Sequence, residues 1–302
     1  MENEHSTRHA VITDASGKEI LPGPGVAATD ETETSALKID LEAILDQKLK
    51  RRLPRWLIHR LQRIIREREL NAVLRHAFPA AGWLFATRAL EYLGISVEAR
   101  GLDNIPSEGR FVFASNHPLG GLDGIALIAL LGRIYGDGGI QFPVNDLLMN
   151  VRPLKGVFVP INKYKGQGRG GTLAISGAYA SDAQILIFPA GLVSRLQEEG
   201  IRDLKWQKSF VAKAKETGRS IIPVYFGGVN TMRFYRWARW RKKLGLKFNF
   251  EQVLLPGELC RAAGKRFTVT FGKPINPAVL DKVTPSLRGE IVKDRVYALA
   301  PE

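Results

Sequence analysis

The chain of 302 residues contains one cysteine, Cys260, so no disulfide can form within it and a reducing compartment is expected. No uninterrupted apolar run reaches the ~18 residues that a membrane-spanning helix requires. Met1 to Ser6 offers neither a basic nor an apolar leader segment, so no signal peptide is expected. No grouping of His, Cys, Asp and Glu has metal-ligand spacing, and no metal is expected. The glycine-rich stretch Gly166 to Gly171 is not followed by Lys and Ser or Thr, which sets aside a nucleotide phosphate loop. Acidic residues are the scarce charge, 30 against 44 Lys and Arg, leaving a net +14. Such an excess favours a polyanionic partner, either nucleic acid or an anionic membrane face. No DNA-reading motif is present, so nucleic acid is not the expected partner.

What is present centres on Ser115-Asn116-His117-Pro118-Leu119-Gly120-Gly121-Leu122-Asp123-Gly124. The short, β-rich Arg110 to Ala114 precedes it, and the apolar, helix-favouring Ile125 to Leu131 follows. The pattern reads as buried strand, polar turn and buried helix, and such turns at strand ends are where α/β sheets place ligands. An imidazole oriented by a carboxylate is the base half of a hydroxyl-activating dyad. A structural histidine beside a capping aspartate fits the same two residues. No strong nucleophile lies beside them, so the hydroxyl to be activated is expected to be the substrate's rather than the enzyme's.

Asn116-His117-Pro118-Leu119-Gly120-Gly121-Leu122-Asp123 resembles the first conserved block of the glycerolipid (lysophosphatidic acid) acyltransferase family, in which His and Asp are the catalytic pair. Five residues separate His117 from Asp123 where four is usual, and Gly120-Gly121 is expected to absorb the extra one as a bulge. The longer spacing is similar to that of a bacterial branch, the hemolysin-like and aminolipid acyltransferases. Gly156 to Lys163 resembles the second block, with Asn162 and Lys163 standing where an acceptor-contacting Arg is frequent. Phe188-Pro189-Ala190-Gly191 resembles the third, usually Phe-Pro-Glu-Gly, and lacks its glutamate. Ser194 and Arg195 are expected to take over contact with the acceptor head group. Ile222-Pro223-Val224 resembles the fourth.

The resemblance implies an α/β fold: a mixed sheet flanked by helices, with an N-terminal amphipathic helical element. It implies an enzyme of membrane phospholipid synthesis that moves a fatty acyl group from an acyl-thioester to the hydroxyl of a lyso-lipid of the lysophosphatidate type. A lyso-aminolipid, such as an ornithine or glycine lipid, is the alternative acceptor, favoured by Ala190 and Lys163. A non-catalytic membrane- or nucleic-acid-binding protein on the same fold is the remaining alternative. His117 and Asp123 would be catalytic. Asn116, Gly120, Gly121, Asn162, Lys163, Phe188, Pro189, Gly191, Ser194 and Arg195 would bind substrate. Amides around Gly120-Gly121 are expected to stabilise the oxyanion. No resident cofactor is expected; acyl carrier protein or acyl-coenzyme A would enter as co-substrate.

The expected organisation is a flexible tail over 1–34, a basic amphipathic helical membrane-associating segment over 35–94, and the acyltransferase α/β domain over 95–302. Within 35–94, Trp56, Ile58, Leu61, Ile64 and Ile65 alternate with Arg55, Arg60, Arg63 and Arg66. This suits either a solvated face packed on the core or a helix lying on anionic lipid. Met232 to Lys247 interleaves basic residues with Phe234, Tyr235, Trp237 and Trp240, as membrane interfaces and nucleic-acid-binding surfaces both do. The expected place of the protein is peripheral, on the cytoplasmic side of the inner membrane.

Overall fold

A computed structural model describes residues 12–21, 38–49, 53–145, 148–161, 169–245 and 249–301. In chain order the elements are β1 (Ile12–Asp14), α1 (Leu41–Leu49), α2 (Arg55–Ile65), α3 (Glu67–Ala77), α4 (Gly82–Tyr92), β2 (Ser96–Arg100), β3 (Phe111–Ser115) and α5 (Gly121–Tyr135). They continue through β4 (Ile140–Asn145), β5 (Phe158–Ile161), α6 (Arg169–Ala180), β6 (Gln184–Ile187), β7 (Arg195–Gln197), β8 (Gly200–Arg202) and α7 (Ser209–Glu216). The last are β9 (Ser220–Phe226), α8 (Met232–Lys243), α9 (Leu255–Arg261), β10 (Arg266–Phe271) and α10 (Arg288–Tyr297).

One sheet of 8 strands runs in the order β1-β2-β10-β9-β3-β6-β4-β5. All of its pairs are parallel except β9 with β10, which makes it the mixed sheet that the sequence implies. β7 and β8 form a separate antiparallel hairpin. Strand β3 lies between β9 and β6, with Val112 opposite Ile221 on one side and Ile185 on the other. Every residue of Phe111–Ser115 is buried, as a central parallel strand covered on both faces requires.

Alternation along β3 divides the interior in two. Phe111 and Phe113 face a layer containing Trp83, Ala86 and Leu90 of α4 and Leu127, Leu130 and Leu131 of α5. Val112 and Ala114 face Tyr179 of α6, Phe210 and Ala214 of α7 and Val292 of α10. Close approach of α4 and α5 depends on Gly132: a Cβ there would lie 2.0 Å from the Trp83 Cβ. The segment 77–87, apolar enough for the core or an interface, belongs to the core.

Two boundaries differ from the sequence reading. Ile12–Asp14, expected within a flexible tail, pairs in parallel with Val97–Ala99, and Ile12 is buried against the core. A sheet edge leaves a row of unpaired amides and carbonyls, and this segment satisfies them. Arg133 Nη1 secures the following turn by donating to the Ile20 carbonyl at 2.6 Å. The helical segment over 35–94 is also not one peripheral unit. Val73 and Ala77 of α3 and much of α4 lie in the main core, while α2 keeps an exposed basic face. The chain breaks between α2 and α3 at Arg66, whose left-handed φ of 55° ends one helix and starts the next. Among the described residues no helix is long and apolar enough to cross a membrane.

Candidate active site

Because β3, β6 and β9 are parallel, their carboxyl ends lie at one edge of the sheet. Residues that follow them, far apart in sequence, therefore converge. As β3 ends, Asn116 replaces the strand ladder with its side chain. Its Nδ2 donates to the Phe226 carbonyl at 2.9 Å, and its Oδ1 accepts from the Phe226 amide at 2.6 Å. Asn116 is thus buried and spent on the backbone of β9, which corrects its assignment as a substrate contact.

His117 follows, its side chain 16% exposed and its Nδ1 3.0 Å from Asp123 Oδ2. Asp123 sits in the first turn of α5 with no exposed surface, where the helix dipole favours a carboxylate. The same Oδ2 accepts from the amides of Leu119 at 2.9 Å and Gly120 at 3.2 Å, and Oδ1 accepts from Gly124 at 2.9 Å. With Oδ2 as its acceptor, Nδ1 is the ring nitrogen that donates to Asp123. Nε2 is left as the basic atom. Gly120 adopts φ 86°, so the residue that lengthens this loop is absorbed at a position where only glycine is unstrained. The Gly120 amide is engaged by Asp123, so it is not available to an oxyanion. The Gly121 amide, first in α5, has no hydrogen-bond partner among the described residues.

The third motif supplies a wall. The Phe188 ring stacks on the His117 imidazole with centroids 4.0 Å apart and planes 17° from parallel. Phe142 meets Phe188 edge-on at 5.4 Å and fixes it in turn. Pro189 and Gly191 shape the turn: the Pro189 carbonyl accepts from Gln207, and the Gly191 amide, at φ 64°, donates to Phe188. Ala190, where the family has Glu, is partly buried against the α6–α7 side of the sheet.

Ser194 and Arg195 are not free to meet a head group. The Ser194 amide donates to the His117 carbonyl at 2.8 Å, and its Oγ donates to Asp203 Oδ1 at 2.5 Å. Arg195 is buried; Nη2 pairs with Glu251 Oε1 at 2.8 Å and Nη1 donates to the Val193 carbonyl at 2.6 Å. Arg241 Nε approaches the other Glu251 oxygen at 2.9 Å, and the Phe234 ring lies 5.2 Å from the Arg195 guanidinium carbon. Burial lowers the Arg195 pKa, with the adjacent Glu251 the main opposing influence. These contacts correct the expectation that Ser194 and Arg195 hold the acceptor's anionic end. Asn162 and Lys163 lie outside the described residues. A concavity of about 1160 Å³ opens beside this motif, lined by Leu192, Arg195, Leu204, Tyr235 and Arg239 among others, and neither dyad residue lines it.

Asp203 escaped the sequence reading. It is fully buried and accepts three donors: the His117 amide at 3.2 Å, Ser194 Oγ, and Trp206 Nε1 at 2.9 Å. Its own amide donates to Tyr297 Oη at 2.7 Å. Burial raises its pKa above the ordinary carboxylate value, against the pull of those donors. Asn230, equally unforeseen, donates from Nδ2 to the Pro118 carbonyl at 3.0 Å. The His117 amide, the His117 carbonyl and the Pro118 carbonyl are therefore each held by a partner other than Asp123. Asp203 lies in a basic stretch, and its partners 86 and 94 residues away leave no local signature.

Residues 42–301 match the model of a family described as acyltransferase. Over 272 residues the chain is 42% identical to a lyso-glycine lipid O-acyltransferase of Bacteroides thetaiotaomicron, covering 89% of this chain and 100% of that one. A lyso-glycine lipid O-acyltransferase of Phocaeicola vulgatus is likewise 42% identical over 272 residues, covering 89% and 97%. The crystal structure of the 1-acyl-sn-glycerophosphate (LPA) acyltransferase PlsC from Thermotoga maritima aligns at a TM-score of 0.45 and 18% identity, covering 72% of this chain and 77% of that one.

Proposed function

The chain belongs to the acyltransferase family, and on that premise we propose that it O-acylates a lyso-lipid, with a lyso-aminolipid of the glycine-lipid class as its acceptor. The observation that carries the chemistry is the His117–Asp123 pair, with Nδ1 engaged at 3.0 Å and the ring planted against Phe188. The acceptor class draws support from the names of the two relatives at 42% identity and from Ala190 in place of the family's glutamate.

His117 Nε2 takes the proton of the acceptor hydroxyl as its oxygen attacks the acyl carbonyl of the thioester. Asp123 stabilises the imidazolium and preserves the tautomer. The Phe188 face adds a favourable contact to the cationic ring. The Gly121 amide is our candidate donor to the oxyanion of the tetrahedral intermediate. Collapse expels the thiolate, which recovers the proton from Nε2, and the ester leaves with the acyl group. The donor is an acyl-thioester of acyl carrier protein or coenzyme A, acting as co-substrate with no resident cofactor invoked. A lipid acceptor and the basic exposed surface favour peripheral attachment to an anionic membrane, on its cytoplasmic side.

The experiment presents purified protein with lyso-glycine lipid and lysophosphatidate, each with acyl carrier protein and coenzyme A thioesters. We expect the higher kcat/KM on the lyso-glycine lipid. Preference for lysophosphatidate with no aminolipid product would return the enzyme to the phospholipid pathway.

A further inference from the structure

Two basic stretches of the sequence, remote along the chain, meet in space. Trp56, Arg60, Arg63 and Ile64 of α2, Arg233 of α8 and Arg261 of α9 line one surface groove of about 460 Å³. Every charged group on its walls is a guanidinium. Among the described residues Arg60, Arg63 and Arg233 enter no salt bridge. Arg261 reaches Glu258 Oε1 at 3.2 Å, a carboxylate that also accepts from the amide and hydroxyl of Thr231. Like charges gathered by three helices repel, and an anion among them removes that cost.

Packing enforces the convergence. Gly257 of α9 sits so near α2 that a Cβ would lie 2.3 Å from the Ile64 carbonyl oxygen. Ile64 and Leu255 join Phe234 and Tyr235 in the apolar cluster that α8 and α9 contribute to. The cluster extends to the catalytic loop, since Leu255 occupies the space 3.0 Å from where a Gly120 side chain would begin. Exposed apolar and aromatic side chains accompany it: Trp56 on its wall is 67% exposed, and on α8, which carries Arg233, Met232 is 47% and Trp240 71% exposed. A site for a dissolved anion gains nothing from such a collar, whereas a site at a lipid interface does.

We propose that this groove seats the phosphate-bearing head group of an anionic bilayer lipid, with Trp56 and the α8 tryptophans at the interface, so that α2, α8 and α9 face the membrane. The inference deepens the membrane attachment put forward above and rests on it. Guanidinium forks grip a phosphate through paired hydrogen bonds, which gives the seat head-group preference beyond bulk charge attraction.

The test sediments the full chain with vesicles of phosphatidylcholine, with and without phosphatidylglycerol. Arg60→Glu combined with Arg233→Glu should lower partition onto the anionic vesicles by about tenfold or more, given ~5-fold per basic residue near such a surface. Arg266→Glu with Lys273→Glu, an equal charge change at exposed positions outside the groove, should cost several-fold less. Equal loss in both pairs would overturn the seat in favour of a diffuse field. So would equal binding of the wild type to neutral vesicles. Displacement of wild-type protein by millimolar inorganic phosphate at constant ionic strength would assign the groove to a dissolved anion instead. Binding is read without turnover, so its failure leaves acyl transfer standing; a wild type that binds but acylates nothing fails the transfer reading alone.

Discussion

Two carboxylates act on His117, one on its ring and one on its main chain, and they should fail differently when neutralised. Asp123→Asn keeps the volume but offers Nδ1 the wrong partner, and kcat should fall by roughly three to four orders of magnitude, as loss of the orienting carboxylate does in hydrolase triads. His117→Ala should abolish transfer with the fold retained; wild-type turnover in that variant would end the general-base assignment. Asp203→Asn should lower kcat with little change in KM, because an amide keeps only one acceptor oxygen for three donors and so displaces the His117 backbone without touching substrate. A pH signature accompanies it. Burial raises the folded-state pKa of Asp203 above its unfolded value, so its contribution to stability is fully present below the unfolded pKa and is lost as pH rises through the folded one. The Tm difference between wild type and Asp203→Asn should therefore widen in favour of wild type as pH falls through that window. A difference independent of pH would mean that Asp203 does not titrate there.

At the scale of elements, Glu251 joins β7 to α8. It is fully buried between the Arg195 and Arg241 guanidinia, and Glu251→Gln should cost about 3–5 kcal/mol in denaturant unfolding, the range for a buried pair left uncompensated. Unchanged stability would show that the pair relaxes into solvent. The sheet and its motif edge were legible because β3, β6 and β9 are largely apolar runs, each followed by a glycine-bearing turn, a signal that needs no partner to be read. The β7–β8 hairpin and the Asp203 hub were not. Arg195 and Ser194 look like surface polar residues in sequence, and only the arrival of Glu251 and Asp203 from later in the chain turns them inward. Local pattern reports which side chains are apolar; it does not report which distant group will neutralise a buried charge. The split of α2 from α3 at Arg66 was hidden for a related reason, since a non-glycine residue in the left-handed region carries no sequence mark.

On the scale of the whole molecule, a net charge of +14 over one folded unit makes vesicle association sensitive to ionic strength. Raising salt from about 0.05 M to about 0.5 M should release the protein from anionic vesicles; salt-independent sedimentation would place attachment in the apolar collar alone. The short strand β1 has a further bearing on the behaviour of the chain in solution. It occupies one margin of the sheet, and without it β2 would present a ladder of idle amides and carbonyls beside an uncovered apolar strip. Deleting residues 1–21 should leave the His117–Asp123 geometry and turnover per folded molecule intact, yet make the protein self-associate edge to edge. Light scattering that rises with concentration in the truncated form, and not in the full chain, would identify those three paired residues as a guard against polymerisation.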